Sequence, residues 1–111
     1  MPVFIANMII KNIKMNKNYK KFKYLIAGLT YKPNVSDLRN SLAIKVSTLV
    51  KKKINNLETF DPYITVNKKI NLKKKFFPNR YQKIFILTKH DMFKKFYNDK
   101  HNKFYFAFEN L

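Results

Sequence analysis

The sequence predicts one open α/β domain, an approximately four-stranded, mostly parallel sheet flanked by helices and preceded by an N-terminal helix. Three observations predict it. Apolar runs of strand length recur along the chain, in "FKYLIAGL", "NNLETF", "KIFILT" and "KFYFAF". Helical patterns separate them, the alternation that crossovers between parallel strands leave in a sequence. The length of 111 residues allows one domain with a modest core and is too short for two.

The elements follow in order. Val3, Ala6, Ile10 and Ile13 recur at helical spacing, which predicts a helix of about four turns over residues 3–15, ended by the polar "NKNYKK". "FKYLIAGL" (22–29) carries a short apolar run bounded by lysines and the glycine, as a strand buried on both faces does. Ser41 is placed to cap a helix over 42–53, with Leu42, Ile44, Val46, Leu49 and Val50 mostly on one side. "NNLETF" reads as a second strand that stops at "DPY", because Pro62 has no N–H to give a ladder. Asp61 ends that strand and suits an Asx-type turn. A short helix is expected near residues 70–77. Residues 83–88 form a further strand, and "HDMFKKFYND" a short helix with Met92, Phe93 and Phe96 at i, i+1 and i+4. The aromatics of a last strand, 103–108, are expected in the core rather than as a stacking platform.

The formal charge is +18, yet only Arg39 and Arg80 of the 24 basic residues are arginine. Proteins that read nucleic acid lean on arginine for bidentate contacts. With lysines spread along the whole chain and Asn, Ile and Phe abundant, the pattern fits A+T-rich codons and a solvated lysine surface; a polyanion-binding face is the second reading, and specific nucleic-acid binding is not expected. There is no cysteine, hence no disulfide, thiolate metal site or thiol nucleophile, which suits a reducing, cytoplasmic setting. No run of about 18 apolar residues suggests a membrane span, and "MPVF" lacks the basic start of a signal peptide. His90 and His101 stand too far apart for a helical metal pair; a loop or structural role is expected for the first and exposure for the second, with no metal site.

The chain's one glycine, Gly28, lies where the first strand leaves the sheet, in "GLTYKPNVSDLRNS". Ligands of open α/β sheets bind beyond the carboxyl ends of the strands, and glycine there permits a tight turn or a close approach of backbone. Lys32 and Arg39 could face an anion, with Asp37 orienting the guanidinium and Ser41 adding a donor at the helix start. Spacing equally allows an ordinary Asp37–Arg39 loop ion pair with Ser41 as a plain cap.

The stretch "GLTYKPNVSDLRNSLAIKV", followed by "FDPY" and then "ILTKHDMF", resembles the C-terminal domain of the nucleotide-sugar 6-dehydrogenases (the UDP-glucose/GDP-mannose dehydrogenase family). "MPVFIANMII" resembles the Met-Pro opening of the helix before that domain, particularly in the UDP-N-acetylhexosamine branch. The resemblance implies a Rossmann-like fold, with residues 1–20 as the end of the helix linking middle and C-terminal domains and 21–111 as the UDP-sugar-binding domain. It implies that Tyr31 and Lys32 contact the nucleotide sugar and that Arg39 reaches NAD held mainly by another domain. Members oxidise the C6 alcohol of a UDP-sugar to the uronic acid with NAD, for polysaccharide biosynthesis, and are typically homo-oligomeric. The chain has no G-x-G-x-x-G and no nucleophilic cysteine. It is therefore expected to be a fragment inactive alone, with no catalytic residue of its own, that would work with a separate chain carrying the NAD-binding and middle domains. A decayed, non-functional fragment is the further alternative. Glu109 stands roughly where the family carries an arginine, and a carboxylate beside a diphosphate predicts weak UDP binding.

Overall fold

The computed structural model describes residues 2–30, 41–64, 72–96 and 103–106. Tyr31, Lys32, Asp37, Arg39, His101 and Glu109, on which several of the expectations fall, lie outside these residues.

Helix α1 (Pro2–Lys14) comes first, followed by strand β1 (Tyr24–Ala27), helix α2 (Leu42–Lys53) and strand β2 (Leu57–Phe60). Strands β3 (Leu72–Lys73), β4 (Lys83–Ile86) and β5 (Phe104–Phe106) complete a sheet in the order β3-β2-β1-β4-β5. All four pairings among the described residues are parallel, with Tyr24 opposite Leu57 on one side and Lys83 on the other. The α2 bounds are those the capping serine and apolar run predict.

Two layers cover the sheet, and this explains why β1 reads as an unbroken apolar run. Tyr24, Ile26, Leu57 and Phe85 face α1 and α2, whereas Leu25, Ala27, Ile84 and Ile86 face Phe93 and the aromatics around it. Every residue of β1 is buried. On the second face Phe60, Phe76 and Phe93 meet in stacked and edge-on pairs, and Phe96 stacks on Phe104 at 4.2 Å. Phe104 and Phe106 are core residues, as expected. On the first face Lys83 Nζ donates to Asn12 Oδ1 (2.7 Å) and to the Asn12 carbonyl, fastening the end of α1 to β4.

The sheet is open and parallel as expected, and the approximately four strands are five among the described residues, because Leu72 and Lys73 pair with Thr59 and Phe60. That pairing also replaces the helix expected near 70–77. Three successive lysines at 73–75 leave such a helix no continuous apolar stripe, and Pro78 would end it. In α1 the buried stripe is Ile5, Ala6, Ile9 and Ile13, while Val3 is exposed and Ile10 half-buried. The helix start is apolar all round, so spacing alone left its rotation open. In α2 the buried residues are Ala43, Val46, Ser47 and Val50, with Leu42, Ile44 and Leu49 at the margins. Small residues at the centre let α1 approach closely. The segment Asp91–Phe96 is a 3-10 helix that buries Phe93 and leaves Met92 outside.

Candidate functional site at the switch point

Strand order reverses between β1 and β4: the chain runs outward through β2 and β3 on one side and through β5 on the other. In open α/β sheets a crevice opens at this reversal, beyond the carboxyl ends of the strands. Three loops meet there, leaving β1 at Gly28, β2 at Asp61 and β4 at Leu87.

Gly28 has φ +86°, a left-handed conformation costly for residues with a Cβ. A Cβ added there would lie 2.3 Å from the Thr88 carbonyl oxygen and 2.6 Å from its nitrogen. Glycine is thus required twice, by the turn and by the approach of the β4 end. Its N–H donates to the Phe60 carbonyl at 2.9 Å, and Leu87 N–H donates to the Ala27 carbonyl at 2.9 Å, so the sheet stays paired up to the crevice.

Asp61 ties the three loops together. Its Oδ2 accepts from the Leu29 N–H and lies 2.8 Å from His90 Nε2, and its Oδ1 accepts from the Tyr63 N–H at 2.8 Å. The Asx-type turn expected after β2 is this last bond. Both partners of the Asp61–His90 pair are buried, with side chains 0% and 1% exposed. A carboxylate here can only accept, so Nε2 carries the proton and His90 is the donor. Thr30 Oγ1 lies 3.2 Å from the same nitrogen, and Thr88 Oγ1 donates to the Thr30 carbonyl at 2.7 Å.

Ser41 joins the end of β1 to the start of α2. Its hydroxyl donates to the Leu29 carbonyl and accepts from Ile44 N–H at 3.2 Å, capping α2. The start of α2, with no acidic residue in its first turn, is thereby held at the switch point, where its unpaired N–H groups and dipole favour an anion. Behind it a hollow of about 130 Å³ is lined by Ile5, Thr30, Ala43, Val46, Leu87 and Thr88.

The expected glycine turn, serine cap and structural His90 are all found here. Tyr31, Lys32 and Arg39 lie outside the described residues, between Thr30 and Ser41 in the sequence. Sequence reasoning missed the Asp61–His90 pair. Its signal was available: "DP" and "TKH" follow the two strands that flank β1, so parallel pairing brings both to Gly28.

This sheet order, with a glycine turn and a capped helix start at its reversal, defines a Rossmann-like α/β domain. The chain belongs to the UDP-glucose/GDP-mannose dehydrogenase family, whose UDP binding domain matches residues 25–110. It is similar to the UDP-N-acetyl-D-mannosamine dehydrogenase of Methanococcus vannielii, 41% identical over 63 residues that make up 57% of this chain and 14% of that protein. The enzyme of the same name from Pyrococcus horikoshii is 33% identical over 66 residues, 58% of this chain and 16% of the relative. The chain thus spans about a seventh of the length of these relatives. Among solved structures, the UDP-N-acetyl-mannosamine dehydrogenase of Staphylococcus aureus superposes with a TM-score of 0.70 over 93% of this chain and 24% of its own, at 24% identity. The Pyrococcus horikoshii enzyme superposes with a TM-score of 0.63 over 84% of this chain and 22% of its own, at 25% identity.

Proposed function

We propose that this chain is the C-terminal, sugar-nucleotide-binding part of an NAD-dependent UDP-sugar 6-dehydrogenase, acting on a UDP-N-acetylhexosamine or UDP-glucose. Residues 21–111 would form the binding domain, and residues 1–20 the end of a helix leading in from a middle domain. The observation that carries this reading is the arrangement at the switch point. Asp61, His90, Thr88 and Ser41 lock the ends of three loops and the start of α2 around one crevice. A diphosphate placed there would lie against the α2 start, with Lys32 supplying a cation and Tyr31 a contact to the sugar nucleotide. Arg39 would face the second domain and its NAD.

The dinucleotide itself does not fit the glycine turn. The space beside Gly28 is filled by the Thr88 backbone, so no phosphate can approach as it does in a glycine-rich cradle. With no cysteine in the 111 residues, the covalent step is not supplied by them either. The part these residues play is to bind and orient the substrate. Hydride transfer and the nucleophile would come from other domains, on the same or a separate chain, in a homo-oligomer. The resulting uronic acid would serve polysaccharide synthesis.

Titration calorimetry with UDP and with UDP-N-acetylmannosamine tests this reading. Binding in the millimolar range is expected, with Lys32→Ala weakening it by about 1.5–3 kcal/mol, the range for a largely desolvated charged contact. Arg39→Ala should leave it unchanged. Affinity unaltered by Lys32→Ala, or no heat with either ligand at millimolar concentration, would overturn the assignment.

A further inference from the structure

A second cavity, of about 270 Å³, shares no lining residue with the hollow at the switch point. Lys23 precedes β1, Arg80 and Tyr81 precede β4, Glu58 is the second residue of β2, and Lys73, Lys74 and Lys75 end and follow β3, so the cavity spans the β1–β2–β3 side of the sheet. Glu58 pairs in register with Leu25, and Tyr81 belongs to the core on the Leu25 side. The cavity therefore lies on the face that α1 and α2 leave free.

Its charge is strongly one-sided. Lys23, Lys73, Lys74, Lys75 and Arg80 line it, against one carboxylate, Glu58; five positive charges and one negative leave a local charge of +4. Glu58 is held down by the Tyr81 hydroxyl, which donates to Oε1 at 2.6 Å. Its other oxygen lies 3.8 Å from both Lys23 Nζ and Lys73 Nζ. The carboxylate is thus already committed to two of the lysines and a phenol. Lys74, Lys75 and Arg80 are exposed, and none of them has a carboxylate within ion-pair distance among the described residues. A concave wall lined by one sign of charge concentrates counter-ions more than the same charges on a flat surface do. Beside them Phe77, 45% exposed, carries the Arg80 guanidinium 4.5 Å from its ring centroid. Such an aromatic–guanidinium platform adds a flat apolar surface next to the cations.

We propose that this cavity is an anion site for linked phosphate groups, separate from the sugar-nucleotide crevice and independent of its assignment. Lys74, Lys75 and Arg80 contact the phosphates, and Phe77 offers a face to a base when the phosphates belong to a nucleotide. Inorganic tripolyphosphate and a nucleoside triphosphate share the required chemistry.

The test is titration of the full 111-residue chain with tripolyphosphate and, separately, with ATP, followed by amide NMR at constant ionic strength. Shifts should centre on residues 73–81 and Lys23, with those at Leu29, Thr30 and Thr88 unmoved. The triple variant Lys74→Gln, Lys75→Gln, Arg80→Gln should weaken tripolyphosphate binding about tenfold or more, as expected for the loss of three partly exposed charged contacts. A control of equal charge, Lys11→Gln, Lys14→Gln, Lys17→Gln on and after α1, should change it less than about twofold. All six positions are exposed, so both variants should retain the parent amide spectrum elsewhere. Phe77→Ala should weaken ATP and leave tripolyphosphate unchanged if the ligand is a nucleotide; equal effects on both assign the site to phosphate alone. Equal loss in the two triple variants, or shifts spread over the lysines at large, would overturn the proposal in favour of unlocalised charge. A failure of UDP to bind the switch point would leave these outcomes untouched.

Discussion

Replacing Asp61 by asparagine keeps the shape of the side chain and removes one acceptor. In the native fold the carboxylate receives the Leu29 and Tyr63 N–H groups and His90 Nε2–H, with its side chain fully buried. An amide offers one oxygen and one NH2. If the oxygen takes the Oδ2 position, the NH2 faces the Tyr63 N–H; if it takes the Oδ1 position, the NH2 faces the Leu29 N–H. His90 can change tautomer to accommodate an NH2, but a backbone N–H cannot. One backbone donor is therefore left facing an NH2 in either orientation, the buried Leu29 N–H or the part-buried Tyr63 N–H, costing roughly 1–3 kcal/mol, and a charge-assisted bond worth a similar amount is lost. Asp61→Asn should destabilise the chain by about 3 kcal/mol, the two losses taken together. Urea unfolding followed by circular dichroism at moderate salt measures it. Asp91→Asn is the internal control, since Asp91 and Lys94 form a 3.0 Å pair that is about two-thirds exposed on both sides. That change should stay within about 0.5 kcal/mol. If Asp61→Asn also fell within about 0.5 kcal/mol of the parent, the pair would not be what locks the three loops together.

Gly28→Ala should cost more than about 3 kcal/mol, because it combines a left-handed φ with an overlap against backbone that cannot rotate away; a variant with parent-like thermal stability would refute the close approach to Thr88. The alkaline limb of stability tests the Glu58–Tyr81 contact. Burial first, and then the hydrogen bond to Glu58, raise the Tyr81 pKa well above its ordinary value of 10.0. The fold holds the proton while the unfolded chain releases it, so stability is fully present below pH 10 and falls as pH rises above it. Burial lowers the Lys83 pKa from 10.5, which acts in the opposite sense, since the fold releases that proton first. Tyr81→Phe should flatten the loss of stability above pH 10, and an unchanged slope would contradict the burial of the phenol.

How much of this was legible in the sequence depended on whether a signal was local. The α2 start and end follow from a capping serine and an apolar run, and the observed helix, Leu42–Lys53, has those bounds. β1, β2, β4 and β5 are apolar segments of the right length, and Gly28 marks the turn because no other residue type suits φ +86°. What failed was decided by partners elsewhere. Leu72 and Lys73 are a strand because β2 has an edge to complete, and nothing inside "NLKKKFF" announces it. The face that α1 buries depends on where α2 and the sheet lie, since Val3, Phe4 and Ile5 are all apolar. The Asp61–His90 bond joins residues 29 apart, and it becomes predictable only once β2 and β4 are known to flank β1.

The central claim, that the carboxyl edge of the sheet receives the UDP end of a nucleotide sugar, is tested most directly by amide NMR of the chain titrated with UDP. Saturable shifts are expected at Leu29, Thr30, Ser41, Leu42 and Thr88, which surround the switch point, with no movement of the amides of Lys74, Lys75 and Arg80. Shifts confined to residues 73–81, or a spectrum unchanged at ten millimolar UDP (roughly tenfold above a millimolar Kd), would contradict it.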